Sequence, residues 1–214
     1  MFAGNIIGLA ITALLGGVLP SDVTNPVKEL INSSDIWLNL VLVSIIGPVL
    51  EELFFRKLLV DRSIKYGARV SILLSALIFG FFHGNLNQFF YAFLLGGFFA
   101  YVYIQTGKIT YTIALHILVN FLGSVVSVFV LNSTELLSNG LGGIYDMAFV
   151  LIYFGFMTAA IIIGLFGLSK YNRGKFNGSK TLVNLKEPLK TIIINPGMLA
   201  FIAFFIIEII IQAI

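Results

Sequence analysis

The sequence predicts an all-α protein: a polytopic transmembrane helix bundle of about seven spans with its N-terminus in the cytoplasm. Three observations carry that expectation. The chain is very apolar, with 58 % of its 214 residues hydrophobic, 11 % charged and a mean hydropathy of +1.01. No soluble domain needs so much apolar surface with so few charges. The apolar residues also form continuous runs rather than alternating, which argues against a β-barrel. Finally, the basic residues are distributed one-sidedly between alternate loops.

The apolar runs are Phe2–Leu19, Ile36–Val60, Val70–His83, Phe89–Gln105, Ile109–Leu131, Ile144–Leu168 and Pro196–Ile214. Most approach the ~20 residues needed to cross the hydrocarbon core, and the third is short. The first lacks a basic flank and a small-x-small cleavage site before Pro20, so it is expected to be a retained span rather than a signal peptide. With no repeat or low-complexity boundary, residues 1–214 are expected to form one membrane domain, its core at about 36–131.

A cytoplasmic N-terminus places Arg56, Lys57, Arg62, Lys65, Arg69 and Lys108 on the inner side. The last inner loop adds Lys170, Arg173, Lys175, Lys180, Lys186 and Lys190, which leaves Lys28 as the one outer base among thirteen. The net charge of +3 is therefore a topology signal, and no nucleic-acid partner is expected. Absence of cysteine excludes disulfides, thiolate metal sites and a cysteine nucleophile. The polar stretch Lys170–Lys190 suits a topology determinant that also meets anionic lipid.

Against this apolar background a few polar residues stand out. Gly47-Pro-Val-Leu-Glu-Glu-Leu-Phe-Phe-Arg56 puts two carboxylates and an arginine late in a span. An ionisable residue inside a membrane is costly and marks a functional site by default. Glu52 and Arg56 are spaced i,i+4, acid before base, and share a helix face. Glu51 is turned about 100° away. The expected division has Glu52 held by Arg56 and Glu51 doing chemistry; the competing reading is a solvated charge cluster at the membrane edge. Gly47-Pro48 is placed to kink this helix. Gly96, Gly97 and Gly107 suit close helix packing. Glu208, in the last span, suits snorkelling toward the outer surface.

Both histidines of the chain fall in spans: Phe79-x-x-x-His83 and His116-x-x-x-Asn120 each put two residues on one face. Counting from the inner helix ends at ~1.5 Å per residue, His116 lies ~10 Å deep, Glu51 ~15 Å and His83 ~20 Å. Tilted helices can gather groups over that range. Glu51 as general base with His83 on the same water, and His116 with Asn120 donating to an oxyanion, equip a site for amide hydrolysis. The sequence has no serine elbow and no His-Glu-x-x-His helix. Glu51, His83 and His116 also form a legitimate zinc set, so both a metal-free and a zinc reading stand. Asn120 is a poor zinc ligand, whereas the acid–base reading uses every member and requires no cofactor.

Glu51-Glu52-x-x-x-Arg56, Phe79-x-x-x-His83 and His116-x-x-x-Asn120 resemble, in that order, the three motifs of the CPBP (CAAX protease and bacteriocin-processing, or Abi) intramembrane proteases. That family includes the type II CAAX prenyl endopeptidases. The resemblance covers about Gly47 to Gly123. It implies a peptidase site within the membrane that opens toward the cytosol, with Glu51 and His83 activating water and His116 and Asn120 stabilising the oxyanion. Glu52, Arg56 and Phe79 would support them. It also implies membrane lipids and a peptide or lipidated protein as partners; the small, cysteine-free chain, rich in Ile, Phe, Asn and Lys, is expected in a bacterial cytoplasmic membrane. Family members often carry more helices before the first motif than the single one here. A non-catalytic bacteriocin-immunity or scaffold protein of the same fold is the alternative. A proton-coupled transporter comes third, since no pair of broken half-helices occupies corresponding halves of the chain.

Overall fold

The computed structural model describes residues 35–170, residue 183 and residues 187–213. Among them every regular element is helical. The helices are α1 (Ile36–Tyr66), α2 (Ala68–Phe82), α3 (Leu86–Thr106), α4 (Ile109–Ser138), α5 (Ile144–Lys170), α6 (Pro188–Ile193) and α7 (Pro196–Ala213). The expected first span, Phe2–Leu19, and most of the polar Lys170–Lys190 stretch lie outside the described residues.

The protein is an integral membrane helix bundle. Among the described residues four helical stretches are long and apolar enough to cross a membrane: Ile36–Tyr66, Gln88–Thr106, Ile109–Ser138 and Ile144–Gly167. Ala68–Phe82 and Pro196–Glu208 are apolar but shorter. Apolar side chains point outward along these helices; Ile152 and Ile163 of α5 are 70 % and 71 % exposed. Hydrocarbon tails are as apolar as these side chains, so turning them outward costs nothing in a bilayer.

The shortness of α2 has a local cause. Its C-cap is His83, Gly84 takes a left-handed φ of 68°, and Asn85 begins α3 by accepting from Gln88 N at 2.9 Å. A left-handed residue after a helix end is a position glycine fills at no steric cost. Gly107 (φ 65°) ends α3 in the same way.

The chain groups into two compact units. The first comprises Pro48–Leu115 with α6 and α7. Here α2 and α3 approach closely at Gly96, where an added Cβ would lie 2.8 Å from Phe79 Cβ. Gly97 is less tight, its Cβ position being 3.5 Å from Ala76 Cβ. Two apolar clusters form the core, Phe55 with Phe79 and Ala92, and Val60 with Ala100 and Tyr103. At the Val60 end, Tyr103 Oη donates to Asp61 Oδ1 at 2.8 Å, and Lys57 Nζ pairs with Asp61 at 3.3 Å.

The second unit comprises the start of α1 up to Gly47, and the chain from His116 through α5. Asp35 caps α1 by accepting from Trp37 N at 2.8 Å. Ser44 and Ser124 share a 2.8 Å hydrogen bond, and Ser133 donates to Asp146 at 3.0 Å. Small hydroxyl side chains let helices approach and join them by hydrogen bonds where hydrophobic burial gives no driving force.

The two glycines give a graded test of the α2–α3 contact. Gly96→Val should destabilise the protein by about 1–3 kcal/mol, the usual range for overpacking, because the new side chain meets the Phe79 Cβ. Gly97→Ala should be close to neutral. Unfolding in mixed micelles by added dodecyl sulfate measures both.

Candidate active site

The first motif sits where α1 changes its winding. Turns closed by i to i+5 hydrogen bonds precede it and run through its second half: Gly47 N donates to Leu42 O, and Asp61 N donates to Arg56 O. Gly47–Glu52 between them is regular α-helix. Such wide turns are frequently found at functional sites.

Glu52 and Arg56 form the expected ion pair, Arg56 Nε lying 3.0 Å from Glu52 Oε2 with both side chains fully buried. Three phenyl rings surround the guanidinium, at 5.0 Å (Phe79), 5.5 Å (Phe99) and 5.9 Å (Phe55) from ring centroid to Cζ. Cations over aromatic faces within ~6 Å are attracted by the ring quadrupole. Arg56 Nη2 also faces the Gly96 carbonyl at 3.5 Å, while Nη1 has no hydrogen-bond partner among the described residues. A solvated charge cluster is thereby overturned for this pair, because both groups are sealed inside the first unit.

With Glu52 so held, Glu51 faces elsewhere. It lines an open apolar groove of about 600 Å³ with Leu50, Leu53, Phe54, Phe55 and Phe82. Lys57 and Leu58 complete the groove lining. Glu51 is the acid among these side chains.

Phe79 and His83 are linked through ring and backbone. The His83 and Phe79 rings meet edge to face at 4.9 Å, and Phe79 meets Phe55 in the same way at 4.9 Å. His83 Nδ1 lies 2.8 Å from Phe79 O. A carbonyl only accepts, so Nδ1 carries the proton and Nε2 is the acceptor nitrogen of the neutral ring. Asn85 fixes the turn, donating to His83 O at 3.0 Å and to Gln88 Oε1 at 2.8 Å. Glu51, Glu52, Arg56, Phe79 and His83 therefore belong to one unit built on α1, α2 and α3.

His116 and Asn120 belong to the second unit, both on α4. His116 is buried, 3 % exposed. Asn120 Nδ2 donates to Val43 O at 3.0 Å. The reason lies in the sequence of α1. Gly47 N bonds to Leu42 O, and the next residue, Pro48, has no N–H to give Val43 O. Asn120 supplies the missing donor, since a buried backbone carbonyl needs a partner. An amide NH2 carries two donors, so one N–H of Asn120 remains beyond this bond. The expected kink at Gly47-Pro48 thus takes the form of a wide turn with a side chain completing its hydrogen bonding.

A zinc site takes three or four ligands at tetrahedral angles. Among the described residues neither unit gathers three His, Asp or Glu side chains in a metal-holding cluster. Of the zinc set read from the sequence, Glu51 and His83 lie in the first unit and His116 in the second.

Sequence reasoning passed over Asn85, Gln88 and Tyr91. Tyr91 packs against the Phe55–Phe79–Ala92 cluster and its ring lies 6.3 Å from that of His83. An Asn-x-x-Gln spacing after the His83-Gly84 pair is the signal for the capped turn; Tyr91 had none.

Comparisons with known proteins agree with the motifs. Residues 33–122 match the model of the family described as Type II CAAX prenyl endopeptidase Rce1-like. This stretch contains all three motifs, so the resemblance read from them is borne out. Among curated proteins the chain is similar to "Putative membrane peptidase YdiL" of Bacillus subtilis (strain 168), 29 % identical over 121 residues. That alignment covers 56 % of this chain and 49 % of the relative, so the match spans about half the relative's length. No solved structure matches the chain.

Two expected outcomes follow from the buried polar contacts. Arg56→Met leaves Glu52 buried without its partner and should cost about 3–5 kcal/mol, whereas Glu52→Leu with Arg56→Met should recover most of that loss. Unfolding free energies of the two variants check this. Asn120→Ala should cost about 1–3 kcal/mol by orphaning the Val43 carbonyl. Adding Pro48→Ala restores a backbone N–H, so the double-variant cycle should show a coupling that offsets much of the cost.

Proposed function

We propose that the chain is an intramembrane endopeptidase that hydrolyses a peptide bond of a membrane-associated protein or peptide. The observation that carries this reading is the separation of two adjacent carboxylates: Glu52 is locked to Arg56 inside the unit, and Glu51 lines an apolar groove. The groove's size is within the ~300–1,000 Å³ typical of ligand pockets, whose walls are mostly apolar. The likeness to a membrane peptidase family supports the same reading.

In the proposed step Glu51 takes a proton from water, and the oxygen attacks the scissile carbonyl carbon. His83 Nε2 accepts from the same water, its tautomer set by the Nδ1–H bond to Phe79 O. The oxyanion is stabilised by His116 and by the second N–H of Asn120, the roles that the third motif's resemblance implies. The tetrahedral intermediate collapses with cleavage of the C–N bond as Glu51 returns its proton to the leaving amine. Preorganised donors in a water-poor site stabilise such charge without reorganising at the moment of reaction. Phe79 and the Glu52–Arg56 pair hold the α1 and α2 segments that bear Glu51 and His83.

This chemistry needs no metal, and the chelator experiment below decides between it and a zinc shell of Glu51, His83 and His116. The site opens to the cytosol of a bacterial cytoplasmic membrane, on the side where the basic loops gather. Its substrates are apolar peptides or lipidated protein segments in or at the bilayer.

Purified protein in detergent, given a quenched peptide library, should cleave. Glu51→Gln and His83→Ala should each lower kcat by at least about 10²-fold, the lower range for loss of general acid–base catalysis, with the melting temperature of Glu51→Gln unchanged. Cleavage should survive a chelator. Loss on chelation with recovery on zinc addition would overturn the metal-free step, and unchanged cleavage by Glu51→Gln would overturn the role of Glu51.

A further inference from the structure

Where the second unit joins α1 to α4, both helices wind wide. Turns with i to i+5 hydrogen bonding occupy Asn39–Ile46 of α1 and Phe121–Val126 of α4, and the two stretches pack against each other. Wide turns of this kind are frequent at functional sites. Asn120 stands at the start of the α4 stretch, and its side chain is bound to α1 through Val43 O at 3.0 Å.

Beside Val43, Ser44 makes a second attachment. Its Oγ lies 2.8 Å from Ser124 Oγ, and Ser124 Oγ donates to Asn120 O at 2.7 Å. Both residues are buried. A carbonyl only accepts, and a hydroxyl has one proton to give. With the Ser124 proton on Asn120 O, the bond between the two hydroxyls takes its proton from Ser44. Ser44 Oγ also lies 3.2 Å from Asn39 O, a longer contact for the same proton. The chain of bonds thus runs from Ser44 to Ser124 to Asn120 O, while Asn120 Nδ2 returns to Val43 O. It begins and ends on neighbouring residues of α1.

Two attachments do what one cannot. A single bond from Asn120 to Val43 O leaves α4 free to turn about that contact. The Ser44–Ser124 bond grips α4 one turn further on, about 6 Å along its axis by the helical rise, and so fixes its rotation. That rotation sets the chemistry the helix can offer. One N–H of Asn120 is committed to Val43 O, and the direction of the other follows from it. His116, buried one turn earlier on α4, turns with the same helix.

We propose that Ser44 and Ser124 are positioning residues: their clasp locks Asn120 against α1 and thereby aims its second N–H as an oxyanion donor. This assignment rests on the endopeptidase reading above. The proton of each hydroxyl is spent within the clasp, so the pair holds and does not react.

The test uses the full-length protein labelled with 15N-asparagine, as wild type, Ser44→Ala, Asn120→Ala and the double variant. Ser133→Ala is the control, since Ser133 makes a separate bond to Asp146 in the same unit. Asn120→Ala identifies the Asn120 side-chain amide signal by its loss. Ser44→Ala should move that signal, and Ser133→Ala should leave it in place. In peptide cleavage Ser44→Ala should lower kcat about 10-fold with KM within about threefold, less than the ~10²-fold that a 1 Å misplacement can cost. In the Asn120→Ala background the same change should lower kcat no further, because effects that pass through one residue are not additive. An unmoved Asn120 signal in Ser44→Ala would overturn the proposal whether or not a cleaved peptide is in hand or the double variant folds. An equal kcat loss in both backgrounds would overturn it while leaving the endopeptidase reading intact. Undiminished cleavage by Glu51→Gln beside a moved Asn120 signal would instead overturn the role of Glu51 and support the clasp.

Discussion

A salt bridge with no access to water, between Glu52 and Arg56, is the constraint on which the first unit depends. Taking both charges out of water carries a penalty of several kcal/mol per ion, which close pairing has to offset. The structure offsets it with a 3.0 Å contact and three phenyl faces around the guanidinium. Those phenyl groups come from α1, α2 and α3, so the arginine cannot be satisfied unless the three helices assemble. The ion pair is thus less a source of stability than a condition on how the helices pack.

That condition propagates to the site. Once Glu52 is turned inward to Arg56, the ~100° step per residue turns Glu51 onto another face, where it lines the apolar groove. Phe79 belongs to the same cage and, one turn later on α2, its carbonyl fixes the His83 tautomer. Gly96 completes the arrangement, since a side chain there would collide with Phe79 and hold α3 away. A buried pair, a phenyl ring and a glycine therefore position Glu51 and His83, which lie on two different helical segments.

In the second unit the organising event is a missing donor. Pro48 cannot bond Val43 O, and α1 winds wide before it. Asn120 fills the gap from α4. The same asparagine that the motifs single out for chemistry thus also has a structural duty, and its two N–H groups allow both.

The sequence by itself determined the class of the fold, because hydropathy and segment length decide whether a stretch belongs in a bilayer regardless of its neighbours. It determined the Glu52–Arg56 pairing too, since i,i+4 spacing is a local property of any helix, and it indicated that the third run was short. The tertiary structure decided what depends on neighbours distant in the chain: the phenyl cage around Arg56, the collision that requires Gly96, the bond from Asn120 to Val43 and the place of Tyr91 beside His83. These contacts join residues 77 positions apart or fewer, but none follows a helical period. A single sequence encodes periodicity and charge directly, whereas which faces meet is fixed only when the helices pack.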